Sequence, residues 1–111
     1  MVAVANLLPE NPEEEASVLA LLKAHPEARA FIQQASAKAL ELFPGATIRL
    51  DTTRYDEWDP PMRLNVLIRG ELEQVNRDRM DYLRWLHAAL VYPEDLVFVI
   101  PQWVGEARGG A

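Results

Sequence analysis

The sequence predicts an α+β fold, in which a three-stranded sheet carries helices packed on one face. Three observations lead to this prediction. Residues 46–53 and 62–69 alternate apolar and polar side chains, as half-buried strands do. A long amphipathic segment over residues 71–91 follows them, and then a short run over residues 96–100 that is apolar at every position. A helical crossover places this last strand parallel to the second one, which gives a ββαβ core.

Two helices are predicted to precede that core. Asn11 is a good helix cap, Pro12 suits the first helical position, and the three glutamates that follow favour the positive end of a helix dipole. We expect this helix to end at about Ala24, because Pro26 disfavours helical geometry in the residue before it. A second helix then runs to about Phe43, with apolar residues spaced three and four positions apart along one side.

The strands and their connection follow from similar signals. The first strand places Ile48, Leu50 and Thr52 on one side, and the second is predicted over residues 62–69. The segment between them is too long for a tight turn, so we expect a surface loop. The last strand is predicted to be covered on both faces, because its run is apolar at every position, and to end at Pro101.

The third helix contains one residue that conflicts with its pattern. Its predicted core residues are Leu72, Val75, Leu83, Leu86 and Leu90. Arg79 falls in the middle of this set, and a buried charge must be paired or must extend along its stem to solvent. We expect a buried ion pair with a carboxylate. The alternatives are an anion-binding pocket around Arg79 and a helical wheel that is wrong by one position.

The order of elements resembles that of a group of short bacterial α+β proteins of uncharacterised function. The stretches that carry the resemblance are LELFPG at residues 40–45, LNVLIR at residues 64–69, and the helix containing Trp85 before the last apolar strand. They span about two-thirds of the chain. The resemblance implies the fold and a bacterial setting, and it implies no activity, cofactor or catalytic residue.

Composition excludes several classes of function. The 111 residues fit one domain, predicted over residues 1–104, with a disordered tail over residues 105–111. The chain has no cysteine, which rules out disulfides and thiolate metal sites within it. A net charge of −6 makes nucleic acid an unlikely partner, since such domains usually present a basic surface. No long apolar run and no basic leader are present, so we expect a cytoplasmic protein that does not cross a membrane.

The candidate metal ligands lie in one acidic loop. Within residues 51–59 four carboxylates surround a tryptophan, namely those of Asp51, Asp56, Glu57 and Asp59. Such oxygen ligands suit Mg²⁺ or Ca²⁺, and with one of these ions the loop would serve a small metal-dependent hydrolase. The spacing does not match a calcium-binding loop, so the other interpretation is a solvated surface loop. No histidine or serine stands in a catalytic pattern, and the sequence indicates no cofactor.

The candidate interface combines aromatic residues with one face of the sheet. Trp58, Trp85 and Trp103 are predicted to be exposed, and tryptophan is enriched at the centres of protein contacts. Leu67, Val97 and Val99 are predicted on the sheet face away from the helices, among the arginines at positions 49, 63 and 69. An exposed apolar patch of this kind marks a partner site. The alternative is that the apolar segment over residues 2–8 folds back over this face.

The sequence therefore favours a non-enzymatic interaction protein that forms a homodimer or half of a two-protein complex. It leaves enzymatic activity undecided, with the metal-dependent hydrolase as one alternative. Another alternative is an anion or nucleotide binder that uses Arg49, Arg63, Arg69 and Arg79.

Overall fold

The predicted order of elements is confirmed by the computed structural model, which describes residues 4–52, 56–89, 92–93 and 95–106. Within these residues a short 3₁₀ turn, Val4–Leu7, precedes three helices and three strands. In chain order they are α1 (Pro12–Ala24), α2 (Pro26–Leu42), β1 (Thr47–Asp51), β2 (Met62–Arg69), α3 (Leu72–Ala89) and β3 (Val97–Gly105). The fold is α+β, as predicted.

Local chemistry fixes the ends of the first two helices. The side-chain oxygen of Asn11 accepts hydrogen bonds from the backbone N–H groups of Glu13 at 2.9 Å and Glu14 at 3.2 Å. These are two of the donors that a helix start leaves without partners, so the predicted cap is confirmed. After α2 the chain turns at Gly45, whose φ of 86° favours glycine.

The three strands form one sheet in the order β1-β2-β3, with β1 antiparallel and β3 parallel to β2. In all three strands the buried apolar side chains lie on one face of the sheet, where they pack with the buried residues of the helices. We call this the helix face and the opposite one the open face. The predicted one-sided packing is therefore confirmed.

The helix α3 contributes a different core surface from the predicted one. Val75 and Leu86 are buried as expected, but Leu72 is exposed and Leu90 lies outside the described residues. Tyr82, which the prediction left out, is completely buried. Its hydroxyl donates a hydrogen bond of 2.8 Å to the carbonyl oxygen of Ala35 on α2. Because that bond satisfies the one polar group of the ring, a tyrosine fits where the pattern pointed to aliphatic residues.

Arg79 lies on the same side of α3, but it is only half-buried. It forms no ion pair with any residue of the described ranges, so the predicted pairing with a buried carboxylate is not found there. Its Nε is buried without a hydrogen-bond partner. A long side chain of this type covers apolar surface with its stem while its end remains near solvent.

The prediction that the last strand ends at Pro101 is wrong, because β3 continues to Gly105. The backbone N–H of Val97 donates to the carbonyl of Pro93, and that of Val99 donates to Tyr92 Oη at 2.8 Å. Both N–H groups thus point away from β2. Pro101 occupies the next position of the same parity, so its missing N–H removes no hydrogen bond to β2.

The described part of the N-terminal segment, from residue 4 onward, packs beside β1. Leu7 is buried in the core, and the 3₁₀ turn contacts both α2 and β1. The carbonyl of Asn6 accepts a 3.5 Å hydrogen bond from Arg49 Nη1. Residues 1–3 and 107–111, which include most of the predicted tail, lie outside the described residues. No helix in the described ranges is long and apolar enough to span a membrane.

Candidate interaction surface

The strand register decides which side chains reach the open face. Val97 is paired with Met62 and Val99 with Leu64, and both partners are buried on the helix face. Neighbouring residues in register point to the same side of a sheet. Val97 and Val99 are accordingly 1% and 3% exposed, so their assignment to the open face is wrong. A run of five apolar residues carries no alternation, and the sequence alone could not fix its parity.

The open face is organised in four rows that cross the strands. Successive rows are two residues apart along each strand, or about 7 Å. From the start of β2, they are row 1 with Asp51, Arg63 and Phe98, row 2 with Arg49, Asn65 and Ile100, row 3 with Thr47, Leu67 and Gln102, and row 4 with Arg69 and Gly105. By the same alternation Val104 belongs to row 4, where the pairing of β2 and β3 is irregular.

A charged pair holds row 1 together. Arg63 donates through Nε and Nη2 to the two carboxylate oxygens of Asp51, at 2.8 and 2.9 Å. Asn65 Nδ2 adds a 2.8 Å hydrogen bond to the same carboxylate. In row 2, Arg49 Nη1 donates to the carbonyls of Ile48 and Asn6. Two of the four arginines of the predicted anion site, Arg49 and Arg63, are thus engaged within the chain, and an anion that binds them would have to replace these contacts.

Exposed apolar side chains lie among these polar groups, mainly along β3. Phe98 is 48% and Val104 39% exposed, and Leu67 and Ile100 are half-buried. Sequence reasoning missed Phe98, Ile100 and Val104, since it placed their neighbours in the strand on this face. Leu67 lies on the open face as predicted.

The acidic loop borders row 1. Asp56 and Asp59, with Pro60, line a groove of about 260 Å³ against Phe98 and Ile100. We call residues 56–60 the Trp58 loop. Trp58, between the two aspartates, is 84% exposed. The groove extends the open face beyond the end of the sheet, and the exposed indole of Trp58 belongs to the loop that forms its outer wall.

The carboxylates of this loop hold its turn. Asp56 Oδ1 accepts from the N–H of Trp58 at 2.9 Å, and Asp59 Oδ2 accepts from the N–H of Asp56 at 3.1 Å. Asp51 is bound by Arg63 on the sheet. No three His, Cys, Asp or Glu side chains in the described ranges come together as metal ligands, and these ranges contain all four candidate carboxylates, Glu57 included. The geometry supports the interpretation as a surface loop.

The other two tryptophans pack against the core. Trp85 is half-buried, with Lys38 Nζ at 5.5 Å from the centre of its ring. Trp103 is in register with the buried Ile68, and its Nε1 donates a 2.8 Å hydrogen bond to the carbonyl of Gly70. The prediction that both are exposed is wrong, because each is partly buried against the hydrophobic core. Of the three, Trp58 is the one with a largely exposed side chain.

A second groove continues around the edge of the sheet. Leu83, His87 and Tyr92 line about 280 Å³ together with Phe98 and Pro60. The imidazole of His87 stacks on the ring of Tyr92 at 5.1 Å between centroids. The histidine therefore packs against Tyr92 while it remains exposed to solvent.

Comparison of the chain with protein-family models, curated proteins and solved structures finds no match. The resemblance to short bacterial α+β proteins therefore stays a prediction.

Proposed function

We propose that this protein is a non-enzymatic interaction protein, acting in the bacterial cytoplasm, whose open face binds a second copy of the chain. The observation that carries the proposal is the exposure of Phe98 on the sheet face opposite the hydrophobic core. Contiguous apolar surface bordered by polar residues is typical of partner sites. The absence of cysteine suits a reducing compartment.

The size of the face supports a role for the Trp58 loop. The eight residues of β2 are about 26 Å long and three strands are about 14 Å wide, so the sheet offers about 370 Å² in projection. A specific interface buries about 800 Å² of accessible surface on each partner. The sheet alone falls short of this area. The adjoining loop, with its exposed indole, supplies additional contact area on the same side.

The charges support a second copy over an unlike partner. On the open face three arginines, at positions 49, 63 and 69, stand with one aspartate, so the face is locally positive on a chain of net charge −6. The Trp58 loop, at the border of this face, carries three acidic residues. One surface therefore contains both signs of charge, and a second copy brings the complement of each.

The test is the oligomeric state of the purified chain and of its Phe98→Asp variant. We expect light scattering after size exclusion at micromolar concentration to give twice the chain mass of 12.6 kDa. Phe98→Asp buries a charge in the interface and should give a monomer.

The matched control is Leu19→Asp, which changes an equally exposed apolar residue on α1 and should leave the dimer intact. A wild-type monomer, or a dimer that Phe98→Asp does not weaken, would contradict the proposal. A wild-type monomer that captures another protein through Phe98 would replace the homodimer with a mixed complex.

A further inference from the structure

We infer that the two copies pack face to face with their β2 strands antiparallel, so that the Arg69 end of each sheet meets the Trp58 loop of the other. This inference rests on the proposed function and specifies its arrangement. The two-fold axis lies between the sheets and runs across the strands. The argument uses the different chemistry of the two ends of the open face.

The two ends differ in charge. At the start of β2 the Trp58 loop contributes Asp56, Glu57 and Asp59. At the end of β2, three row spacings or about 20 Å away, Arg69 is exposed. Its guanidinium lies beside Gly105, where a Cβ would be 3.4 Å from Nη1. Between these ends lies the ion pair of Arg63 and Asp51, whose opposite charges balance each other.

Sheets that pack face to face with aligned strands about a two-fold axis have two arrangements, which place these ends differently. An axis parallel to the strands places each end of the sheet over the same end of the second copy, so that loop meets loop and Arg69 meets Arg69. An axis across the strands reverses the second sheet and lays row 4 over row 1. Arg69 then lies opposite Arg63, whose charge Asp51 balances, and beside the acidic loop at the border of row 1. Like charges facing each other across an interface are unfavourable, whereas opposite ones fix the register. Charge therefore favours the antiparallel arrangement.

The apolar residues favour the same arrangement independently. With the axis across the strands, β3 lies over β3 of the second copy, and row 1 lies over row 4. Phe98 of one copy then meets Val104 of the other. These two residues have the most exposed apolar side chains of the sheet. The indole of Trp58 comes next to Arg69, a pairing that adds a cation–π contact. With the axis along the strands, Phe98 instead lies over Asp51, where a carboxylate would be desolvated against an aromatic ring.

Crosslinking distinguishes the two arrangements directly. Because the chain has no cysteine, Glu57→Cys and Arg69→Cys each introduce a single reactive thiol. Packed sheets are about 10 Å apart, so a bis-maleimide of about that length can join facing positions. We expect covalent dimers when the two variants are mixed and re-equilibrated, and none when either is treated alone.

Each other outcome has a definite meaning. Covalent dimers from each variant alone, with none specific to the mixture, would support the parallel arrangement and overturn the inference. A dimer in light scattering that gives no crosslink in any sample would place the contact elsewhere and also overturn it. In both cases the proposal of a homodimer would remain supported. A monomer at all concentrations would instead refute the proposed function itself.

Charge reversal provides a second readout. Arg69→Glu places like charges at two symmetry-related contacts and should raise the dimer Kd about tenfold. Adding Glu57→Arg to the same chain should restore most of the affinity, since the signs are then exchanged. Arg29→Glu changes the net charge equally on an exposed position of α2 and should leave the Kd unchanged. Failure of the double variant to recover would overturn the arrangement.

Discussion

Replacing Tyr82 with phenylalanine tests the central contact between α2 and α3. The ring is completely buried and packs edge-on against Phe43, with 5.8 Å between centroids. The substitution keeps this packing and removes only the hydrogen bond from the hydroxyl to the carbonyl of Ala35. A buried hydrogen bond of this type contributes about 1 kcal/mol. At neutral pH we therefore expect Tyr82→Phe to lower the free energy of unfolding by about this amount.

The same substitution should have a different effect in alkali. Burial, with a smaller contribution from nearby Tyr92, raises the pKa of the Tyr82 hydroxyl well above its ordinary value of about 10. Above that pH the unfolded chain loses the tyrosine proton while the folded chain retains it. The unfolded state then binds fewer protons, so stability falls as the pH rises. For one such group the free energy of unfolding is lower by about 1.4 kcal/mol at a pH of about 11 than at neutral pH.

The measurement is urea unfolding followed by tryptophan fluorescence, at several pH values from about 8 to about 11. The difference between wild type and Tyr82→Phe isolates Tyr82, because all other groups titrate in both proteins. We expect the wild type to be more stable than Tyr82→Phe at a pH of about 8, and this difference to vanish near a pH of about 11. Ile32→Val, a fully buried control without a titrating group, should lose about 1 kcal/mol at every pH. A wild-type advantage over Tyr82→Phe that is constant with pH would refute the reasoning, because it would mean that water reaches the hydroxyl.

Two further substitutions test local features. Arg79→Met should change the free energy of unfolding by less than about 1 kcal/mol, because it removes an unbonded Nε and keeps a stem of similar shape; chemical denaturation that shows a loss of about 3 kcal/mol or more would restore the buried ion pair. Asn11→Ala removes the cap of α1 and should cost about 1 kcal/mol, whereas Asn11→Ser should retain most of it, as measured by thermal unfolding.

The elements that the sequence predicted well are those with a strong local signal. The strand β2 has the predicted bounds because four buried residues alternate with four that face the other side. The start of α1 is right because Asn11 and Pro12 act on the backbone within one turn. In each case the information that determines the structure lies within a few residues of the position concerned.

The errors arise where partners distant in the chain decide. Nothing in residues 97–100 distinguishes their two sides, and it is pairing with Met62 and Leu64 that turns Val97 and Val99 inward and exposes Phe98. The burial of Tyr82 depends on a carbonyl 47 residues away. The Trp58 loop could be recognised as acidic and aromatic from the sequence, but its position beside β3 is a property of the folded chain.

The outer edge of β3 limits how copies of this protein can associate. Adding a strand to a sheet edge requires a row of free N–H donors. Here Val97 and Val99 already donate to Pro93 and Tyr92, and Pro101 has no donor to offer. A neighbouring chain therefore finds no template along these positions from which to extend the sheet into a filament. Contact through the open face about a two-fold axis uses up that face in both copies. A dimer of this kind therefore offers neither the open face nor these positions of β3 to a third chain.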